Sequence, residues 1–245
     1  MEQLTNAPLI EVICEIAWDS NSKKEIDKFQ ILAGSISADL KDVYSYPENL
    51  IPDPGIPINI FLNKPIYRFR NKNNNNILFQ LGPGTLSVNH VGKNYQWDQY
   101  LNEITTVIIS FQKLYDFPLN KKISLGLKYL DFFEVNAAEV NIFQYIKDNL
   151  HIGLSVEGIS DFPGKVAFST SYKQSENIFF SLSLNSADIN KEGKKQNGLL
   201  LESAMNTTVL PTAFQDWKKL TIDFHSFLSS FFQNITKGNL YNSFK

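Results

Sequence analysis

The chain has 245 residues, 43% of them apolar and 20% charged, an ordinary globular composition that excludes a fibrous or disordered polypeptide. Its formal net charge is −2, and Arg68 and Arg70 are its only guanidinium groups, so general polyanion binding is disfavoured. A single cysteine, Cys14, excludes an intrachain disulfide and a thiolate metal cluster, and fits a reducing cytoplasm.

Met1 to Pro8 has no basic region before an apolar run, and no segment reaches the ~20 apolar residues of a membrane span. Neither a signal peptide nor a membrane helix is expected, and the Asn-x-Thr sequons at Asn206 and Asn234 are then chance matches. From Leu9, residues Ile10, Val12, Cys14, Ile16 and Trp18 alternate with Glu11, Ile13, Glu15 and Ala17, the pattern of a half-buried strand. Apolar residues at near-helical spacing from Glu25 to Val43 predict a helix, closed by the Pro47 to Pro57 stretch with its four prolines. That stretch reads as a surface connection or a lid.

Strands are expected over Pro65 to Arg70 and Ile77 to Leu81, joined by a hairpin tip at the polar run Asn71 to Asn76. Gly82-Pro83-Gly84 then interrupts the pattern, which resumes with Leu86, Val88 and His90; this predicts a strand bent or bulged at the glycines. Trp97, Tyr100, Leu101, Ile104, Val107, Ile108, Phe111 and Leu114 form the clearest amphipathic helix, ended by Pro118. Ile123 to Asp131 alternates again as a strand.

Beyond Val135 the pattern predicts a helix over Asn141 to Leu150. An antiparallel meander follows, over Ile152 to Gly158, Val166 to Tyr172, Ile178 to Leu184 and Leu199 to Val209. The charged stretch Asn190 to Asn197 reads as an exposed hairpin loop. A closing helix carries the stripe Phe214, Trp217, Leu220, Phe224, Phe227, Leu228, Phe231 and Ile235; Thr212 and Gln215 have capping-box spacing, and Lys237-Gly238 marks the end.

The expected fold class is therefore α+β, an antiparallel sheet with helices on one face. Residues 1–135 read as a β-α-β-β-α-β lobe, the split βαβ of ferredoxin-like folds, and residues 136–245 as an α-β-β-β-β-α lobe. The two lobes would share a continuous sheet, or form one continuous domain.

Reactive constellations are not visible in the linear sequence. His90, His151 and His225 have no second His or Cys at ligand spacing, so no metal site is expected. No G-x-S-x-G elbow exists, and the S-x-x-K matches at Ser20 and Ser110 lack companion motifs. Gly82-Pro83-Gly84 precedes a strand rather than a helix, so it is not a phosphate loop. Glu11 and Glu15 share a strand face but stand roughly 13 Å apart at 3.3 Å per residue, too far to share a proton. No catalytic residue and no cofactor is implied.

Four segments carry a resemblance: Asn6-Ala7-Pro8-Leu9-Ile10-Glu11-Val12, then Phe79 to Asn89 with its LGPGTLSVN run, then Trp97, then Leu125-Gly126-Leu127-Lys128-Tyr129-Leu130. They resemble a sporadically distributed family of bacterial and archaeal proteins that open on an NAPLIEV-like strand and carry an LGPGxLSVN-like segment. The closing helix from His225 to Thr236 is similar too, and the family usually has Arg in place of Lys128. No catalytic motif is established for the family. Its patchy occurrence implies horizontally moved genes, and by analogy a role in anti-phage defence or toxin and antitoxin loci.

The leading expectation is a non-enzymatic binding or assembly protein, with a protein partner or self-association. A second reading is an enzyme or small-ligand sensor with a pocket beside the glycine bend, using Gln80, Gly82, Gly84, Ser87, Asn89, Trp97, Lys128 and Asp131. A third is RNA binding, with Arg68, Arg70 and Lys72 on phosphates and Tyr67, Phe69 and Phe79 as stacking surfaces.

Overall fold

The structure, a computed structural model, describes residues 4–20, 22–51, 53, 55–136, 140–155, 165–191 and 193–245. Strand β1 (Leu9–Trp18) leads to helix α1 (Lys23–Asp39), whose N-cap Ser22 accepts the Glu25 amide. The proline stretch holds the two-residue strand β2 (Glu48–Asn49), and a 3-10 turn, Ile58–Phe61, follows it. Strands β3 (Tyr67–Arg70), β4 (Ile77–Gly82) and β5 (Thr85–Val91) precede helix α2 (Trp97–Leu114) and strand β6 (Ile123–Glu134). Helix α3 (Ile142–Leu150) is capped by Asn141, which accepts two amides. Strands β7 (Ala167–Lys173), β8 (Ile178–Lys191) and β9 (Lys194–Val209) come next. Helices α4 (Pro211–Phe214), α5 (Trp217–Thr236) and α6 (Asn239–Asn242) end the chain.

The fold is mixed α+β, with one large antiparallel sheet in the order β2-β3-β4-β5-β1-β6-β9-β8-β7. By contact the chain divides into two compact units, and these are not the contiguous halves 1–135 and 136–245. One comprises residues 11–127 and 206–222, the other residues 1–10, 128–205 and 223–245. Strands β1, β6 and β9 and helix α5 each contribute residues to both units.

Three expectations change. Gly82-Pro83-Gly84 does not bend one strand: it is the tight turn of the β4–β5 hairpin, with Gly82 paired to Thr85 and Gly84 at φ 86°. The hairpin connection expected over Asn190 to Asn197 is shorter than read, because β8 reaches Lys191, Gly193 turns at φ 79° and β9 starts at Lys194; the ion pair of Asp188 with Lys195 at 2.8 Å shows how charges of this region are used. The Thr212–Gln215 capping box is not made, since Pro211 opens the separate turn α4 and α5 begins at Trp217. A strand expected over Ile152 to Gly158 is not found at Ile152–Ser155, and the rest of it lies outside the described residues.

The Asn71–Asn76 hairpin tip is built as read. Asn71 Oδ1 accepts the amides of Asn73 and Asn74, Asn74 Oδ1 accepts that of Asn76, and β3 pairs with β4 on either side.

In the unit of residues 11–127 and 206–222, alternation along β1 places Val12, Cys14, Ile16 and Trp18 under the helices. Trp18, Phe111, Tyr115 and Phe117 form an aromatic cluster with centroids 5.0–5.7 Å apart. Each such ring contributes about 1.5–3 kcal/mol by leaving water. In the other unit, Phe180 of β8 packs on Phe227 and Phe231 of α5.

Candidate binding surfaces

The residues between the buried positions of β1 share the second face of the sheet. Strand register sets Glu48, Arg68, Gln80, Ser87 and Glu15 side by side across β2, β3, β4, β5 and β1, at the ~4.8 Å spacing of neighbouring strands. Arg70, Leu78, Asn89 and Ile13 form the next row. Sequence order alone could not show this, because side-by-side pairing of five strands is a tertiary fact.

Hydrogen bonds tie much of this face together. Ser87 Oγ donates to Asn89 Oδ1 at 2.8 Å, and Asn89 Nδ2 donates to Glu11 Oε1 at 2.7 Å. Arg70 Nε donates to Glu48 at 2.8 Å, and Arg68 Nη1 lies 3.6 Å from the same carboxylate. Arg68 Nε is shielded from solvent and has no hydrogen-bond partner among the described residues. Lys72 sits apart, its ammonium donating to the Lys41 carbonyl.

Of the expected ligand set, Gln80, Ser87 and Asn89 thus share one face, and they share it with Arg68 and Arg70. Gly82 and Gly84 close the end of the β4–β5 hairpin, but the space beside them is filled. A Cβ on Gly82 would lie 1.8 Å from the Lys64 carbonyl oxygen; one on Gly84 would meet Asn63, Ser20 and the Trp18 carbonyl at 2.4–2.6 Å. These glycines admit backbone and side chains of the protein itself. Trp97 begins α2 and packs on Tyr100, whose hydroxyl reaches the opposite side of β1. Lys128 and Asp131 belong to the other unit, where Lys128 pairs with Glu202 at 3.0 Å and Asp131 is 4% exposed.

The rings expected to stack on bases are turned inward. Phe69 and Phe79 are 0% exposed and stack on each other at 4.3 Å, while Tyr67 stacks on Phe29 of α1. Alternation puts them under the helices whenever Arg68 and Arg70 face outward, so the two halves of the RNA reading lie on opposite faces.

Cys14, His90, His225 and Asp131 are buried, whereas His151 is exposed. Cys14 is 2% exposed, and burial pushes its thiol up to about 12, which removes the thiolate at neutral pH. His90 is 2% exposed, burial lowers its pKa, and neither ring nitrogen has a hydrogen-bond partner among the described residues. His225 Nδ1 is 2.7 Å from the Tyr129 hydroxyl, and His151 caps α3 at φ 50° with Nε2 3.0 Å from the Lys237 carbonyl. Burial alone raises Asp131 to about 7. Among the described residues no three His, Cys, Asp or Glu side chains converge as a metal site, and no helix is long and apolar enough to cross a membrane.

The last strand of the sheet, β7, presents main chain. Ser186 donates its amide to the Val166 carbonyl at 2.7 Å, and Gln174 donates to Ile178 at 2.9 Å. In an antiparallel ladder such pairs recur every second residue, so Phe168, Thr170 and Tyr172 bond inward to Leu184, Leu182 and Phe180. Ala167, Ser169, Ser171 and Lys173 turn their N–H and C=O groups outward, and no described strand pairs with them. The other edge of the sheet is the two-residue β2, with its charged Glu48. Edge β7 has seven residues, no Pro and a single charge, at its end.

A scan of family models, a search of curated proteins and a search of solved structures each return no match to this chain.

Proposed function

We propose that this chain is a non-enzymatic binding or assembly protein that engages its partner through the main chain of β7. The observation that carries this reading is the seven-residue edge, whose outward N–H and C=O groups no described strand pairs and which holds no proline. The burial of Cys14, His90 and Asp131 supports it, since a nucleophile or proton donor must reach its substrate. The resemblance to sporadically distributed proteins supports placing such a subunit in an anti-phage defence or toxin and antitoxin system.

The order β6-β1-β5-β4, with α1 after β1 and α2 after β5, supports a ferredoxin-like reading of the first lobe. Strands β9, β8 and β7 lie side by side in chain order, which supports a meander in the second.

Ser171→Pro tests the function, because it deletes an outward N–H and leaves the inward ladder intact. Co-expressed with the products of the genes on either side, the wild-type chain is expected to purify in a stoichiometric complex, with itself or with a neighbour. The variant is expected to lose that complex while keeping the same thermal transition. A wild-type chain that captures no neighbour and stays monomeric at every concentration overturns the reading.

The unpartnered Nε of Arg68 favours a second reading, a sensor whose ligand anion completes the Arg68, Gln80 and Ser87 row. Inorganic phosphate and citrate are the probes. A thermal upshift that Arg68→Met abolishes supports this, and no shift with either anion removes it.

A further inference from the structure

Resting on that reading, we infer that the occupant of the β7 edge is β7 of a second copy, paired antiparallel about a two-fold axis at Thr170. An isologous interface requires a surface that complements itself. Two β7 strands related about Thr170 overlap along all seven residues, because Thr170 is the midpoint of Ala167–Lys173. Their outward-bonding residues then oppose one another, Ser169 against Ser171 and Ala167 against Lys173 of the second copy. Every outward N–H and C=O of those four residues finds a partner.

Side-chain chemistry agrees with this register. Phe168 faces Tyr172 of the second copy in a pair without ladder bonds, where side chains approach most closely. Tyr172 is 50% exposed and already stacks on Phe180 at 5.9 Å, so the second copy's Phe168 extends an existing aromatic row. Thr170 meets itself, a favourable cross-strand pair. The charge of Lys173 falls opposite Ala167, so no like charges oppose. Shifting the axis to Ser169 or Ser171 shortens the overlap and breaks the Phe168–Tyr172 match.

Edge pairing of two strands buries little area by the standard of stable complexes, so the dimer dissociates on dilution. Sedimentation velocity over a concentration series is expected to show a monomer–dimer equilibrium, with the amides of Ser169, Ser171 and Lys173 slowing in hydrogen exchange as dimer forms. Ser169→Lys with Ser171→Lys places like charges opposite each other and is expected to weaken the dimer at least ~tenfold. Ser169→Lys with Ser171→Glu opposes unlike charges in this register alone, and is expected to restore it.

A wild-type chain that remains monomeric throughout overturns the second-copy proposal. So do amides of Ser169, Ser171 and Lys173 already protected in the monomer, or a charge-swapped variant as weak as the double lysine. A monomer that still captures a neighbouring gene product, and loses it on Ser171→Pro, overturns the homodimer and leaves the assembly function standing.

Discussion

The hydroxyl of Tyr100 bridges two strands. It accepts the amide hydrogen of Cys14 at 2.8 Å and donates to the carbonyl of Val88 at 2.7 Å, the residue facing Cys14 in register. Helix α2 is therefore fixed to the sheet by a buried polar contact, where burial raises the phenol well above its ordinary pKa. Tyr100→Phe leaves a buried donor and acceptor without this partner, at about 1–3 kcal/mol each. Urea unfolding should show a loss of roughly 2–4 kcal/mol with an unchanged slope; a loss near zero would show that the two strands bond directly instead.

The glycines of the β4–β5 turn should behave as packing residues. Gly82→Ala drives a Cβ into the Lys64 carbonyl, and backbone cannot step aside as a flexible side chain can. A destabilisation on the order of 3 kcal/mol is expected. Gly153 has nothing within 4 Å of a built Cβ, so Gly153→Ala is the control, expected to move the thermal midpoint little. Equal effects at both positions would refute the close approach.

Cys14 should be silent as a thiol. With its pKa pushed up to about 12 and its side chain in the core, modification by a disulfide reagent must wait for the protein to open. The labelling rate should fall with the fraction unfolded and jump in denaturant. Rapid labelling of native protein would show an accessible nucleophile and revive an enzymatic reading.

The sequence made some of these features readable and hid others for identifiable reasons. Period-two alternation in β1 and the stripe of α2 follow from burial on one face, so Val12, Cys14, Tyr100 and Phe111 could be placed inside from spacing alone. Gly82 and Gly84 suggest a bend in sequence because two glycines around a proline suit either a bulge or a tight turn. Only the pairing of Gly82 with Thr85 decides between them. The charged run after Asn190 suggested a loop, yet charges opposed across a hairpin, as at Asp188 and Lys195, are compatible with strand. Val166 to Tyr172 reads as strand and β7 spans Ala167–Lys173, but edge position is set by sheet order, which no local pattern encodes. The same limit hid the row from Glu48 to Glu15, whose members are far apart in the chain.

Asp131 gives a pH signature with a definite sign. Its folded pKa is raised from 3.8 to about 7 by burial alone, so the folded state binds this proton more tightly than the unfolded chain does. Stability from this group is present below the unfolded pKa and is lost as pH rises from about 4 through about 7. Above that range the buried carboxylate costs the full difference, on the order of 4 kcal/mol at 1.36 kcal/mol per unit. Asp131→Asn keeps the shape and removes the titration. Relative to wild type it should be stabilising at pH 8 by on the order of 4 kcal/mol and close to neutral at pH 4. The check is chemical denaturation at both pH values, read as a difference between variant and wild type so that other titrating groups cancel. A difference that does not change with pH would show that Asp131 is ionised in the folded chain with an ordinary pKa. The carboxylate would then have a compensating partner, and burial would not be the dominant influence on it.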